Sequence, residues 1–396
     1  MAADRGVMTN TAVTSMTSRT AAPAGSSLPA VTAVLVAVSA TALGLAALRS
    51  PGDSPLGRED GSVAALLLPP ATLAWVVTAA GMVGLVAVVG VLALRPRPLE
   101  RPRQAVTALL AGEVAVLGFG LGSVTSIALA GYLLAMALPI LLAVLVIQAV
   151  RRYARVRWAA VALVLAFVAW GSETAVLSLD TLGRLGAGLS TGFVTAAPRL
   201  LLAALSTAAM ASFGLLLAAE LGRTDSWRGA GAYVARHRTV CTMVAACCAL
   251  PYGLVRMTWF TPWPVLGQSE GLTSEIRLWG LLLGGAALLG FVLTVGLLRP
   301  WGERFPRWVP RLAGRPVRVA VAAVPGGIVA AVVCTSALPM LWGLTLSDSG
   351  SALGVDSTVE KVAMALVFPF WLWGPMLALA VWGYVVHRQD GSVLAG

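Results

Sequence analysis

Residues 71–94 read ATLAWVVTAAGMVGLVAVVGVLAL, and residues 95–104 after them read RPRPLERPRQ. The first segment carries no charge, and as an α-helix it is about 36 Å long, more than the ~30 Å hydrocarbon core of a bilayer. The second holds Arg95, Arg97, Arg101 and Arg103, the charge pattern of a cytoplasmic loop lying against anionic headgroups. The same pairing of apolar run and basic loop recurs along the chain. It predicts an all-α, polytopic transmembrane helix bundle.

Composition agrees. The chain is 58% hydrophobic and 11% charged, whereas a soluble domain is about 25% charged. Lipid is the solvent that accommodates so much apolar surface. The net charge of +11 sits in short clusters between apolar runs, which points to headgroups as the anionic partner and away from nucleic acid.

About ten spans are expected, at 29–48, 71–94, 105–123, 131–150, 158–178, 199–221, 240–258, 278–298, 319–343 and 362–386. They form one bundle over 29–386, between a disordered cytoplasmic tail at 1–28, rich in Ala, Thr and Ser, and a short cytoplasmic tail at 387–396. The first run contains Ser39-Ala40-Thr41-Ala42, a small-residue stretch of the kind a signal peptidase accepts. Its length and the long polar tail before it favour a retained helix. The third run is diluted by Gly118, Gly120 and Gly122.

Orientation follows from arginine. Loops 95–104, 151–157, 222–239 and 299–318 are arginine-rich and alternate with loops holding few basic residues. With the tails, 21 of the 28 basic residues fall on one side, which is therefore cytoplasmic, with both termini. The opposite side collects Asp53, Glu59, Asp60, Asp180, Glu270, Glu275, Asp348, Asp356 and Glu360. Trp158, Trp259, Trp263, Trp301, Trp308 and Trp342 fall near span ends, where amphipathic rings prefer the headgroup level.

Ionisable residues inside the membrane are the functional leads, because each costs several kcal/mol at mid-bilayer unless paired. Glu113 lies near the middle of the third span without a cation at its depth, as a proton-coupling carboxyl does; a hydrogen-bonded structural Glu has the same signature. Glu173 and Arg256 lie in the outer thirds of the fifth and seventh spans. Their matched depth predicts an intramembrane ion pair, with a binding or coupling role for Arg256 as the alternative. Cys241, Cys248, Tyr252, Arg256 and Trp259 share one helix face, and Pro251 interrupts that helix. Glu220, at a cytoplasmic helix end, is expected to be solvated. Pro325, Pro339, Pro369 and Pro375 mark either discontinuous helices around a transport site or simple kinks.

No P-loop, zinc-protease or dinucleotide fingerprint is present. Cys241, Cys247, Cys248 and Cys334 all fall in apolar runs, and they read as small helix residues rather than metal ligands or a disulfide framework. No cofactor and no metal are expected.

The segment 299–310 (RPWGERFPRWVP), followed by Gly314-Arg315 and preceded by Leu250-Pro251-Tyr252 and Arg256, resembles multi-pass membrane proteins common in high-GC actinobacteria, a group with no established activity. The scarcity of lysine (only Lys361) beside abundant Ala, Val and Arg suits such a genome. The resemblance covers mainly 240–340 and implies a bacterial plasma membrane and no mechanism. A transporter or permease moving a small molecule is the first expectation. The second is a non-catalytic partner of a cytoplasmic ATPase or signalling protein, contacted through the arginine-rich loops. The third is an enzyme acting on lipid-linked substrates, for which only Asp348 and Asp356 offer acidic groups.

Overall fold

The computed structural model describes residues 27–51, 54–57, 61–95, 99–152, 154–173, 177–261, 263–266, 272–306, 309, 312–345 and 357–393. The expected disordered tail at 1–28 lies almost wholly outside them, as do Asp53, Glu59, Asp60, Glu270, Asp348 and Asp356. In chain order the helices are α1 (Leu28–Arg49), α2 (Val63–Leu67), α3 (Pro70–Leu94), α4 (Glu100–Glu113), α5 (Val124–Arg152), α6 (Ala154–Glu173), α7 (Leu179–Thr195) and α8 (Ala197–Leu221). They continue as α9 (Asp225–Arg236), α10 (Arg238–Thr258), α11 (Ser274–Gly296), α12 (Pro300–Glu303), α13 (Val319–Thr345), α14 (Thr358–Val367) and α15 (Phe370–Val393). A π-helical stretch, Val114–Gly120, continues α4. Among the described residues there is no strand, only an isolated bridge between Arg304 and Pro316.

Eight helical segments among the described residues are long and apolar enough to cross a membrane: α1, α3, α5, α8, α10, α11, α13, and α14 with α15 taken together. The protein is thus multi-pass. The third expected span corresponds to α4 and its π continuation, and the fifth to α6, which packs on α5 and turns Leu163, Leu165 and Val168 outward. Polar side chains start several of the helices. Ser178, Thr224 and Thr273 each accept a hydrogen bond from a backbone N–H of the first turn of α7, α9 and α11. Ser357 and Glu360 form a reciprocal capping box on α14.

Two of these helices fall in segments expected to be loops. Residues 179–195 and 225–236 are the amphipathic helices α7 and α9. Their apolar residues lie on one face instead of forming an unbroken run, so a search for spanning segments passes over them. The short C-terminal tail is also helical at its start, because α15 continues to Val393. Pro139, Pro251, Pro325, Pro339 and Pro375 sit inside continuous helices. The break falls at Phe368-Pro369, between α14 and α15.

The N-terminal helices α1, α3, α4 and α8 share one apolar core with the π stretch. Its tightest contact is between the antiparallel α1 and α3, where Gly44 lies against Thr78 and Gly81 against Thr41. A Cβ on Gly44 would stand 2.7 Å from the Ala74 carbonyl oxygen, and one on Gly81 would stand 2.6 Å from that of Ala37. Only glycine permits this approach. The two threonine hydroxyls donate to Ala37 O and Ala74 O at 2.8 Å, so the contact leaves neither unsatisfied. This packing places α1 within the folded core.

The second group comprises α10, α11, α13 and α15, with α5 and α8 bridging the two groups. At the end of α12, residues 303–305 and 314–317 pair with each other across a turn. Phe305 N–H donates to Arg315 O, and Val317 N–H to Glu303 O. The Tyr384 hydroxyl donates to Gly302 O at 2.9 Å and Arg388 Nη2 to Val317 O at 3.0 Å, so the turn is fastened to the end of α15.

Candidate functional site

Glu113 is the last residue of α4 before the backbone changes from α to π geometry. Such stretches are rare, and they often mark functional positions. Gly118 within the stretch abuts Met210 of α8, and Gly122 just beyond it lies against the backbone of Thr335 in α13. Both close approaches suit a local change of helix pitch.

The Glu113 side chain is 2% exposed. Its carboxyl carbon lies beside Gly84 of α3, with Ala37 of α1 and the ring of Phe213 of α8 against the same spot. These neighbours offer hydrocarbon, and Glu113 Oε2 has no hydrogen-bond partner. An unsatisfied buried oxygen of this kind costs about 1–3 kcal/mol even on a neutral acid, and far more on a carboxylate. What the site can do chemically is take up and release a proton.

Arg103 lies ten residues before Glu113 on the same helix, about 15 Å along its axis. Its Nη1 pairs with Glu220 Oε2 at 3.3 Å, and its Nη2 donates to the Leu94 carbonyl at 2.7 Å. Glu220 is 7% exposed, with Arg223 at 3.7 Å from its other oxygen. The expectation of a solvated Glu220 is therefore corrected. α4 begins where α8 ends, so the two charges meet at the same depth and desolvate each other. That juxtaposition was visible in the topology, since both residues were assigned to cytoplasmic span ends.

At the opposite end of the bundle, Arg256 stacks over Trp259, with Cζ 3.9 Å from the ring centroid, and over Tyr252 at 5.2 Å. The expected ion pair with Glu173 does not form. Arg256 Cβ lies against Gly284 of α11, and Glu173 is exposed. The end of α6 meets the end of α10 one turn earlier, through Trp170 and Phe260 at 5.2 Å. The face shared by Cys241, Cys248, Tyr252 and Arg256 does look inward, with Cys241 and Cys248 both buried. Tyr252 meets Phe368, at the α14–α15 break, at 5.0 Å.

A third polar locus escaped the sequence reading because single serines in apolar runs give no periodic signal. Ser123, Ser126, Thr335 and Ser336 are buried where α5 begins beside α13. Ser336 Oγ donates to the Ser123 carbonyl at 3.1 Å, while Ser126 Oγ and Trp373 Nε1 have no partner. The two best-formed clefts lie elsewhere. One of about 380 Å³ sits at the end of α1 beside Arg49, Ser50 and Ser54, and an apolar one of about 250 Å³ lies between α1 and α3. Among the described residues no three His, Cys, Asp or Glu side chains are grouped to hold a metal ion. No family model, curated protein or solved structure matches the chain.

Proposed function

We propose that the protein is a ten-span transporter or permease of a bacterial plasma membrane, with both termini cytoplasmic, in which Glu113 carries a coupling proton. The observation that supports this reading is a central carboxyl buried to 2% exposure with one oxygen unpartnered. A structural glutamate at that depth would have its oxygens satisfied. The π stretch that begins at the next residue gives the helix a place to change pitch when the charge changes. The Arg103–Glu220 pair lies between Glu113 and the cytoplasmic end of the same helices and suits the entry side of a proton path.

The test is Glu113→Gln, which keeps the shape and removes the titratable group. In membrane vesicles, a flux of small amphiphilic dyes driven by an imposed pH gradient is expected for the native protein. The variant is expected to reach the same expression level and to lose that flux. Infrared difference spectra on acidification should show a protonated-carboxyl band that is absent from the variant, a readout that needs no substrate. An unchanged flux and an unchanged spectrum would make Glu113 a structural residue.

A further inference from the structure

Arg256 is a half-buried charge near the end of α10. Its guanidinium faces are occupied by the rings of Trp259 and Tyr252, and among the described residues no carboxylate pairs with it. The Tyr252 hydroxyl lies within hydrogen-bond reach of one guanidinium N–H, and the other N–H groups along the planar edge can donate to a further acceptor. Arg277 brings a second positive charge to the same tryptophan. Its Nη1 donates to the Trp259 carbonyl at 3.3 Å and its Nε to the Leu272 carbonyl at 3.2 Å. Among the described residues, it too pairs with no carboxylate. The nearest carboxylate in sequence, Glu275, is engaged by Arg184, which also holds Asp180 at 2.9 Å.

We propose that the edge of Arg256, framed by Trp259 and Tyr252 and supported by Arg277, binds the phosphate of an anionic membrane lipid. On the orientation given above, this is a lipid of the outer leaflet. Arg256 lies within the last turn of α10, at the level where tryptophans and headgroups meet. Phosphate matches the planar N–H edge of a guanidinium, which it accepts in a two-point contact. A lipid is favoured over a soluble phosphate because Tyr252, Arg256 and Trp259 are only half-buried and lie at the end of a membrane-spanning helix. A soluble ligand depends on an enclosing cavity. A lipid arrives with its tail already in the membrane and needs only an anchor for its head.

The experiment is native mass spectrometry of the detergent-purified protein with added phosphatidylglycerol, with phosphatidylcholine and inorganic phosphate as separate arms. The native protein is expected to retain one more phosphatidylglycerol than Arg256→Gln. Arg256→Lys, which keeps the charge and loses the planar fork, should bind that lipid about tenfold more weakly. Arg228→Gln, on the cytoplasmic helix α9, should retain the full complement. If Arg256→Gln and the native protein retain the same number, the site does not exist. Equal retention of phosphatidylcholine overturns recognition of an anionic lipid, and competition by inorganic phosphate at millimolar level overturns the lipid as its source. Should Arg256→Gln fail to fold, the Arg256→Lys and Arg277→Gln comparisons decide the matter, because native-like retention in both overturns the proposal. None of these readouts depends on whether Glu113 moves a proton.

Discussion

A charge buried beside its partner and a carboxyl buried beside hydrocarbon behave differently when neutralised. Arg103 and Glu220 meet in a desolvated contact in which the arginine also satisfies the last turn of α3. Glu220→Ala leaves Arg103 facing apolar groups and should lower the melting temperature of the detergent-solubilised protein. Removing both partners should cost less than the sum of the single losses, with a coupling of about 1–3 kcal/mol. Additive losses in that thermal cycle would show that the contact contributes nothing. Glu113→Gln, by contrast, keeps the size of the side chain and breaks no ion pair, and should leave the melting temperature close to native. The depth of Glu113, Arg256 and Tyr252 was legible from their position in apolar runs. The partners were not: depth along a helix fixes one coordinate, and which neighbour a side chain faces depends on rotation and packing. Arg256 and Glu173 are expected at one depth and do not meet: Arg256 lies over Trp259, and Glu173 is exposed.

At the scale of elements, the interlock of α1 and α3 rests on two glycines that meet threonines in reciprocal register. Gly44→Val or Gly81→Val would drive a branched side chain into the opposing backbone and force the pair apart. Each is expected to lower the melting temperature by several degrees, a loss on the order of 2–4 kcal/mol. Gly290→Ala, on α11 with nothing within 4 Å of an added Cβ, should be neutral or mildly stabilising, since alanine is the better helix former. A native melting temperature in Gly81→Val would refute the interlock. Spans such as α3 and α13 were legible because uninterrupted apolar runs of that length have one economical solution in lipid. The π stretch was not legible, since Val114–Gly120 differs from ordinary helix only in hydrogen-bond register. Nor was α7, whose Gly183, Gly186, Gly188 and Gly192 look like loop punctuation until its capping serine is seen in place.

For the whole molecule, the alternation of arginine-rich and arginine-poor loops sets a testable topology. Reporter fusions after Arg103, Arg155, Arg236 and Arg311 are expected to behave as cytoplasmic, and fusions at Gly271 and Ser349 as external. Two adjacent loops reporting the same side would overturn the ten-span reading, and the α4 region, where the helix is short and glycine-diluted, is where the test is most severe. The placing of α15 has a consequence of a different kind, in the timing of synthesis. α10 and α13 both pack on α15, which is made after both, and the turn before α13 is fastened to it by Tyr384 and Arg388. The N-terminal core is complete once α8 has been inserted. At ~5–20 residues per second, the second group then waits roughly 10–30 s for its final member. During that interval the breaker-rich α13 and the proline-bearing α10 sit in the membrane without the surface they are shaped to meet. A ribosome that stops short of Phe370 leaves one half of the protein assembled and the other as loose helices, which is the form quality-control proteases are built to find.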